Sequence, residues 1–496
     1  MFQGCRKLLF AVFLIVSFGA AQETHLHNPP EKLGTVSFPI SCQASVRAEF
    51  NRGVALLHSF AYAAAEDVFR EVAKQDPDCA IAHWGGAMAY FRQLWEPAIL
   101  PSTIAAAQSE IEQALRIRAG TELEHKFIDA AAGLFRDAGS VPYSVRALNY
   151  EHAMAELANG NNKNVEAQVF YALALLANAS PADKTHSKQK QAADILEPLY
   201  RAYPEHPGIA HYLIHAYDNA ELAARGLPMA RAYSRIAPSA PHALHMPSHI
   251  FTRLGLWDDS IISNLAAKDA ARKAGDTGEE LHSMDYLVYA YLQSGREAEA
   301  AQLLQQLKSM PNLNKADFKI GYASTAMPIR YLVERQKWAD AALVAPPAGA
   351  PPHVIAIAIW AHGIGLARSG HAETLQPMSD LQKIEEELQA SGNVYWATQV
   401  RVMKREVMAW SAQKEGKRDQ ALALLREAAD EEDAIEKLPV TPGPIIPARE
   451  QLGDLLQQQA QPDLAAKEFQ TALVNAPGRR AAQQGVAEAA KRSGKP

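Results

Sequence analysis

Three features are missing from this sequence, and each absence excludes a class of protein. Alternating runs rich in Val, Ile and Thr, which are typical of strands, are absent, so a β-sheet protein is not expected. After residue 21, no stretch approaches about 18 consecutive apolar residues, so no transmembrane helix is expected there. The formal net charge is −6 and no dense Lys/Arg block occurs, so nucleic-acid binding is not expected.

Signatures of common enzymes are missing as well. No Walker loop, dinucleotide fingerprint or Ser/His/Asp signature appears. Two His-x-x-x-His motifs are present, but Tyr212 and Met246 follow their first histidines, so neither is His-Glu-x-x-His. The general base of that metallopeptidase pattern is therefore absent. Glu221 and Asp285 could replace it, but no pattern singles them out, so the sequence favours a binding protein over an enzyme.

The first 21 residues have the pattern of a secretory signal peptide. Arg6 and Lys7 precede an apolar run over residues 8–18, and the small residues 19–21 follow it. The alternative is a retained membrane anchor, but the run is short for a membrane span. We therefore expect cleavage before Gln22 and an exported mature protein, periplasmic or extracellular.

What the sequence does contain points to helices. Alanine is very abundant, and Leu, Gln, Glu, Lys and Arg supply most of the rest. The mature chain is far longer than one ordinary hydrophobic core can serve. A solenoid avoids that limit because each repeat packs only on its neighbours.

The two His-x-x-x-His motifs are the most informative pattern. They are His211–His215 and His245–His249, and both members are offset by 34 residues. On a helix, residues i and i+4 lie one above the other on the same face. The constant offset therefore predicts equivalent positions on the first helices of two consecutive repeats.

A second pattern marks the partner helices. Ala65, Phe69, Val72 and Pro77 show a spacing in which a small residue admits the neighbouring helix, an aromatic ring fills the gap and proline ends the helix. The same spacing returns near the C-terminus at Ala465, Phe469, Ala472 and Pro477.

With a period of 34 residues, the chain resembles the tetratricopeptide repeat superfamily over nearly its whole mature length. The resemblance implies an all-α fold, a right-handed solenoid of roughly eleven antiparallel helix pairs. Proline-rich stretches at 344–352 and 438–447 mark breaks in the repeats. The expected organisation is a signal peptide (1–21), an N-terminal extended segment (22–45), a repeat solenoid with a central histidine-rich groove (46–345), divergent helical repeats (346–437), and a proline-rich connector with the last repeat and a capping helix (438–496).

Four segments give a narrower resemblance, to a group of exported bacterial tetratricopeptide proteins. This resemblance implies an exported bacterial protein and transfers no activity. The segments are FNRGVALLHSF (50–60), PDCAIAHWGGAM (77–88), HYLIHAYD (211–218) and ALHMPSHIFTRLGLW (243–257).

The superfamily resemblance also implies which residues face the concave surface of the solenoid. Positions 2, 5, 9 and 12 of each first helix belong to that surface. Three neighbouring helices then present His211, His215 and Asp218, next His242, His245, His249 and Thr252, and finally His282, Asp285 and Tyr289.

Paired imidazoles on a helix can share a metal ion, because their Cβ atoms are only about 6 Å apart. Neighbouring helices pack at roughly 8–10 Å, so the two pairs could also converge. We therefore treat His211, His215, His245 and His249 as candidate metal ligands. Imidazole and carboxylate suit a transition ion such as zinc or copper rather than calcium.

Pro247 complicates this interpretation, because proline inside a helix removes a backbone hydrogen bond. Either the helix begins near Met246, which leaves His242 and His245 on the entering loop, or it is kinked beside the histidines.

Two functions and one structural role remain open from the sequence. The first is an exported scaffold that binds a protein or peptide segment along its concave surface, with Asp218, His242, His282, Asp285 and Tyr289 as ligand-binding residues. The second is a transition-metal-binding protein or metalloenzyme that uses the paired motifs. The histidines could also form an internal structural network.

Cysteine is scarce, with three in the chain and two after the signal peptide. Cys42 and Cys79 lie close to one repeat length apart, and an exported compartment permits a disulfide between them. Two unrelated buried thiols are the equally weighted alternative.

Overall fold

The computed structural model of the protein describes residues 31–92, 94, 101–370 and 374–494. The expected signal peptide and the first part of the N-terminal segment lie outside the described residues. Within the described ranges the chain is helical and contains no strand. After a short 3-10 helix (Ala44–Val46), the first helices are α1 (Arg47–His58), α2 (Tyr62–Gln75), α3 (Ala80–Ala89), α4 (Pro101–Arg116), α5 (Glu122–Phe135), α6 (Tyr143–Gly160), α7 (Val165–Ala177), α8 (Ser187–Ala202), α9 (Pro207–Tyr217), α10 (Ala223–Ile236), α11 (Pro241–His245) and α12 (Pro247–Arg253).

The second half of the chain continues in the same way, with helices joined by short turns. These helices are α13 (Trp257–Ala274), α14 (Thr277–Gln293), α15 (Glu297–Ser309), α16 (Phe318–Glu334), α17 (Trp338–Ala341), α18 (Pro352–Ser369), α19 (Leu375–Ala390), α20 (Val394–Lys414), α21 (Arg418–Asp433), α22 (Ala448–Gln458), α23 (Pro462–Asn475) and α24 (Arg480–Arg492).

Each helix packs against the next helix in sequence and, in many cases, against the next but one. The pairs α1 and α3, α7 and α9, α14 and α16, and α18 and α20 show the second kind of contact. This is the contact pattern of stacked antiparallel helix pairs. The predicted all-α solenoid of helix pairs is confirmed.

The spacing Ala-x3-Phe has a direct packing reason. The ring of Phe69 lies between Gly53 of α1 and Gly85 of α3, where a Cβ atom would come within 2.8 Å and 2.4 Å of the ring. Phe469 occupies the same position against its own two glycines, one on α22 and the other on α24. Glycine is needed on both flanking helices because the aromatic ring fills the space that a side chain would take.

The solenoid also brings together helices that are remote in sequence. Helix α1 contacts α9, and α24 contacts α14. Near the second of these contacts, the indole Nε1 of Trp257 donates to the carbonyl oxygen of Gly478 at 3.2 Å. Contacts between repeats that are remote in sequence therefore add to the contacts between neighbouring repeats.

The N-terminal segment is attached to the repeats by a covalent bond. The sulfur atoms of Cys42 and Cys79 are 1.97 Å apart, and Cys79 immediately precedes α3. Beside this bond, the Asp76 carboxylate accepts a hydrogen bond from the backbone N–H of Gln43 at 2.8 Å. The segment is thus fixed along the first two helix pairs.

The proline-rich segment (residues 438–447) joins α21 to α22, but it does more than connect them. It runs across α14 and α16. The Arg330 guanidinium of α16 donates to the carbonyl oxygens of Gly443 (3.2 Å) and Pro444 (2.8 Å). Val440 is buried in the core formed by the N-terminal repeats. The segment therefore packs against the middle of the solenoid.

Among the helices within the described residues, none combines the length and the apolar character that a membrane span requires.

Candidate metal centre

Helix α9 carries the first histidine pair. It begins at Pro207, whose fixed φ suits the first helical position. His206 caps it, because its Nδ1 accepts a hydrogen bond from the backbone N–H of Ile209 at 3.3 Å. His211 and His215 lie one turn apart on the same face, and their Nε2 atoms are 3.1 Å apart.

The second pair spans two short helices. Pro247 cannot donate a backbone hydrogen bond, and the helix divides there into α11, which ends at His245, and α12, which begins at Pro247. His242 and His245 therefore lie on a helix of their own rather than on an entering loop. The Nε2 atoms of His245 and His249 are still only 3.0 Å apart.

Helix α14 brings a further histidine to the same place. The ring centroid of His282 is 4.2 Å from that of His245. The two motifs also meet, since the ring centroids of His215 and His249 are 5.9 Å apart. We call the resulting group the six-histidine cluster, and its side chains are all buried: His211, His215, His242, His245, His249 and His282.

The cluster divides into two triads of possible metal ligands. In each triad, one ligand atom from every histidine lies within 4.8 Å of the other two. The four predicted metal ligands are thus joined by two residues that the sequence had indicated only as part of a binding surface. The first triad is His211, His215 and His242, and the second triad is His245, His249 and His282.

Four of the six imidazoles have an oxygen acceptor beside Nδ1. A neutral histidine that donates through Nδ1 keeps a lone pair on Nε2, and this arrangement orients a metal ligand. The pairs are His211 with the carbonyl oxygen of His58 (2.6 Å), His242 with Glu279 (3.2 Å), His245 with Asn264 (2.6 Å) and His249 with Asp218 (2.8 Å).

The protons of His245 and His249 are fixed by these partners. The Asn264 amide donates to the backbone oxygen of Ser260 at 2.8 Å, so its oxygen faces His245 and can only accept. The Asp218 carboxylate beside His249 can also only accept. Both imidazoles therefore donate through Nδ1, and in their neutral form both carry a lone pair on Nε2.

Two lone pairs that face each other at 3.0 Å repel unless a cation lies between them. A transition ion bound to two imidazoles at about 2.0–2.1 Å, with an angle of about 90–110°, would separate the two nitrogens by about 2.9–3.4 Å. The observed separation falls in this interval. The positions of His245 and His249 are therefore compatible with two ligands of one metal ion.

Burial favours the neutral form of an imidazole, which metal ligation requires. It lowers the pKa of five of the six imidazoles, and neighbouring imidazoles add to this effect for His211, His215 and His245. For His249, burial lowers the pKa to about 4, although Asp218 opposes the change. The remaining member of the five is His282, whose pKa is also lowered by burial.

The carboxylates beside the cluster are already paired with cations. Burial alone would raise the pKa of Asp218, but Lys437 (2.9 Å) and Arg253 (2.9 Å) hold it well below its usual value. Glu279, which is paired with Lys319, likewise keeps a pKa well below the usual range despite its burial. Both carboxylates are therefore ionised near neutral pH.

The surroundings of the cluster differ from the open concave surface expected from the repeat pattern. Tyr286 lies against it, with its ring centroid 4.7 Å from that of His245. The Tyr286 hydroxyl contacts the carbonyl oxygens of Pro439 (3.1 Å) and Thr441 (3.2 Å) in the proline-rich segment. The segment thus packs against Tyr286 at the edge of the cluster, and Leu438 and Pro439 line a cavity beside His215.

Two of the predicted binding residues are not brought to the cluster. Asp285 is buried beside Arg330, with 3.9 Å between the charged atoms, and burial raises its pKa to about 6. Tyr289 packs against the Arg330 guanidinium, 4.9 Å from the ring centroid. These two residues support the proline-rich segment rather than the histidines.

A neighbouring group of histidines differs from the cluster, because its hydrogen bonds form a complete network. Glu166 lies between the Nε2 atoms of His58 (2.8 Å) and His206 (2.9 Å). The remaining nitrogen of His58 lies 2.9 Å from the Tyr212 hydroxyl, and that of His206 caps α9. Every ring nitrogen has a partner of the right kind, so this group needs no ion and ties α1, α7 and α9 together.

Sequence reasoning missed the residues that orient the cluster. The carbonyl of His58 is 153 residues from His211, and Asn264 and Glu279 belong to other helices. No local spacing marks these partners. Of the orienting partners, the sequence had indicated only Asp218, as a ligand-binding residue on the concave surface.

Comparison with known proteins yields structures only. No family model matches the chain, and no curated protein matches it. The tetratricopeptide domain of P58(IPK) shares 11% identity over 91% of this chain and 99% of that one, with a TM-score of 0.22. A circular tandem repeat protein shares 11% identity over 90% and 96% of the two chains, with a TM-score of 0.13. The assignment of the fold therefore rests on the helix packing described above.

Proposed function

We propose that this protein is a transition-metal-binding protein that holds two ions in the six-histidine cluster, one in each triad. The observation that carries the proposal is the pair His245 and His249. Their Nδ1 atoms donate to fixed acceptors while their Nε2 atoms face each other at 3.0 Å. A metal ion satisfies both nitrogens at once.

The chemistry of the donors narrows the class of metal. Neutral imidazoles without thiolates suit zinc, copper, nickel or iron, and they are poor ligands for calcium or magnesium. The only two cysteines that follow the expected signal peptide are joined in the disulfide, so they are not available as ligands. Three protein ligands for each ion leave room for a further ligand, which distinguishes such a site from a closed structural zinc site.

A protein-binding scaffold is the second candidate. Helix-pair solenoids offer extended surfaces for partners. The concave positions around the histidines are buried, however, and the proline-rich segment packs against Tyr286 beside them, so they do not form an open groove for a peptide. The buried cluster favours the metal-binding function over this alternative.

Isothermal titration with zinc and with copper(II) tests the proposal. The wild-type protein should bind two ions per chain near neutral pH. His215→Ala and His249→Ala each remove a ligand from one triad and should weaken one of the two binding events at least tenfold. His125→Ala and His152→Ala, which change histidines outside the cluster, serve as matched controls and should leave both events unchanged. Equal binding by all four variants would refute the proposed function.

We also propose that the protein is exported, from the pattern of its first 21 residues. The disulfide between Cys42 and Cys79 supports this, because such bonds persist in oxidising compartments. N-terminal sequencing of protein recovered from a bacterial periplasm or culture medium should begin at Gln22. Recovery of the intact N-terminus in the membrane fraction would instead indicate a retained anchor.

A further inference from the structure

A cavity of about 130 Å³ adjoins the six-histidine cluster at one point. Of the six histidines, His215 alone lines it. Several other lining residues, among them Ala179, Pro181 and Leu438, are partly exposed, so the cavity reaches the surface of the protein. The cavity therefore connects solvent with one member of the first triad.

The two triads consequently differ in access. His215 is 8% exposed, whereas the members of the second triad are at most 1% exposed. A metal ion in the first triad would lie next to the cavity, and one in the second triad would be enclosed by protein. Only the first ion would have a position that a ligand from solvent can reach.

The charges around the cavity favour an anion as that ligand. Two carboxylates, Asp218 and Glu436, are within ion-pairing distance of three cationic side chains, those of Lys184, Arg253 and Lys437. One positive charge is left over. The Lys437 ammonium lines the cavity together with His215, and it has three N–H donors, one of which is directed to Asp218.

The metal ions would increase this positive charge. Six neutral imidazoles contribute no negative charge, and the adjacent Asp218 and Glu279 are already paired with cations. Two buried divalent ions would then lack a counter-charge, which is costly in a protein interior. An anion bound to the accessible ion reduces this cost.

We infer that the first triad, once it holds a metal ion, takes a small anion that enters through the cavity at His215 and hydrogen-bonds to Lys437. This inference rests on the proposed metal-binding function. A water molecule occupies about 30 Å³ in the liquid, so the cavity has room for about four. The size corresponds to anions such as azide, formate or acetate.

Azide binding to the copper(II)-loaded protein tests the inference, because azide bound to copper(II) produces a charge-transfer absorption band. Titration with azide should produce this band and saturate at one azide per chain. The apoprotein should show no band. Copper that binds at two per chain but gives no azide band, or two equivalent azide sites, would overturn the inference and leave the proposed function standing. Absence of copper binding would overturn both.

Variants that fill the cavity test its role as the entrance. Leu438→Trp and Ala179→Leu enlarge two side chains that line the cavity and should weaken azide binding at least tenfold, while copper stoichiometry stays at two. Leu343→Trp makes the same change as the first variant at a side chain that is 82% exposed, and it should bind azide like the wild type. If both cavity variants keep wild-type azide affinity and copper stoichiometry, the entrance proposed here is wrong.

Discussion

At the scale of single residues, the cluster depends on what each imidazole contacts through its second nitrogen. Asn264 is the clearest example, because its amide is held by the backbone of Ser260 and leaves only an acceptor for His245. Such partners fix the tautomer of a ligand and the direction of its lone pair.

Asn264→Leu tests this orientation. The change removes the acceptor from His245 Nδ1, and we expect metal affinity at the second triad to fall by about 10–100-fold. Asn475→Leu is the control, since that amide contacts Asp433 instead. Competition with a chelator measures both variants, and an unchanged affinity for Asn264→Leu would show that His245 does not need this partner.

His353 provides a test of the effect of burial on an imidazole outside the cluster. Its ring stacks on Trp396 at 4.6 Å between centroids, and burial lowers its pKa to about 4. The unfolded chain, with a histidine pKa of about 6.5, binds this proton more readily than the folded chain. The stability that neutral His353 contributes is therefore present above pH 6.5 and is lost as the pH falls toward 4.

The measurement compares wild type with His353→Phe, which keeps a ring against Trp396 but cannot titrate. Between pH 7 and pH 4, the wild type should lose about 3 kcal/mol more unfolding free energy than the variant. Urea denaturation at several pH values gives this difference. If the two proteins lose stability in parallel, His353 does not have a lowered pKa.

The sequence was sufficient to find the two histidine pairs, because the partners of each pair are four residues apart in the chain. It placed His211, His215, His245 and His249 as candidate ligands from spacing alone. It could not show that His282, one repeat after the second motif, would complete a triad. That contact depends on how three helix pairs stack, which no local pattern encodes.

At the scale of elements, the proline-rich segment is the feature that the sequence described least well. Its composition predicted a break in the repeats, and the segment lies between α21 and α22. Proline content gives no information about what an extended segment lies against. Arg330, 113 residues before Gly443, supplies donors to its carbonyl oxygens.

Arg330→Met tests how this segment is held. The variant loses charged hydrogen bonds to the carbonyl oxygens of Gly443 and Pro444, each worth about 1.5–3 kcal/mol. Amide hydrogen exchange in peptides that cover residues 440–446 should accelerate at least tenfold. Arg335→Met, which removes a partly exposed pair with Glu297, should leave these peptides unchanged. Protection that stays at wild-type level in Arg330→Met would show that other contacts hold the segment.

At the scale of the whole molecule, contacts between helices that are remote in sequence help to form the six-histidine cluster. Helix α9 carries the first histidine pair and packs against α1, whose last carbonyl orients His211. The repeat period predicts neighbouring helix pairs, but the curvature that brings α1 to α9 results from small rotations accumulated over many repeats. This is why the sequence predicted the helix pairs and not the burial of the cluster.

Gly208 on α9 lies against His58 at the end of α1. A Cβ atom there would lie 2.6 Å from Nδ1 of His58, so Gly208→Ala should force α9 away from α1 and lower the unfolding free energy by about 2 kcal/mol or more. Gly133→Ala is the matched control on an exposed helical position with no atom within 4 Å, and it should raise stability by up to about 1 kcal/mol. Urea denaturation compares the two. Equal stability of both variants would contradict the close contact.

The central claim is that imidazoles of the six-histidine cluster bind two transition ions. X-ray absorption spectroscopy at the metal edge of the zinc-loaded protein tests it most directly. We predict two zinc ions per chain, each with about three imidazole nitrogens at about 2.0–2.1 Å. The variant with both His245→Ala and His249→Ala should retain one zinc ion with the same signature. A first shell dominated by oxygen, or by a single imidazole per ion, would contradict the account.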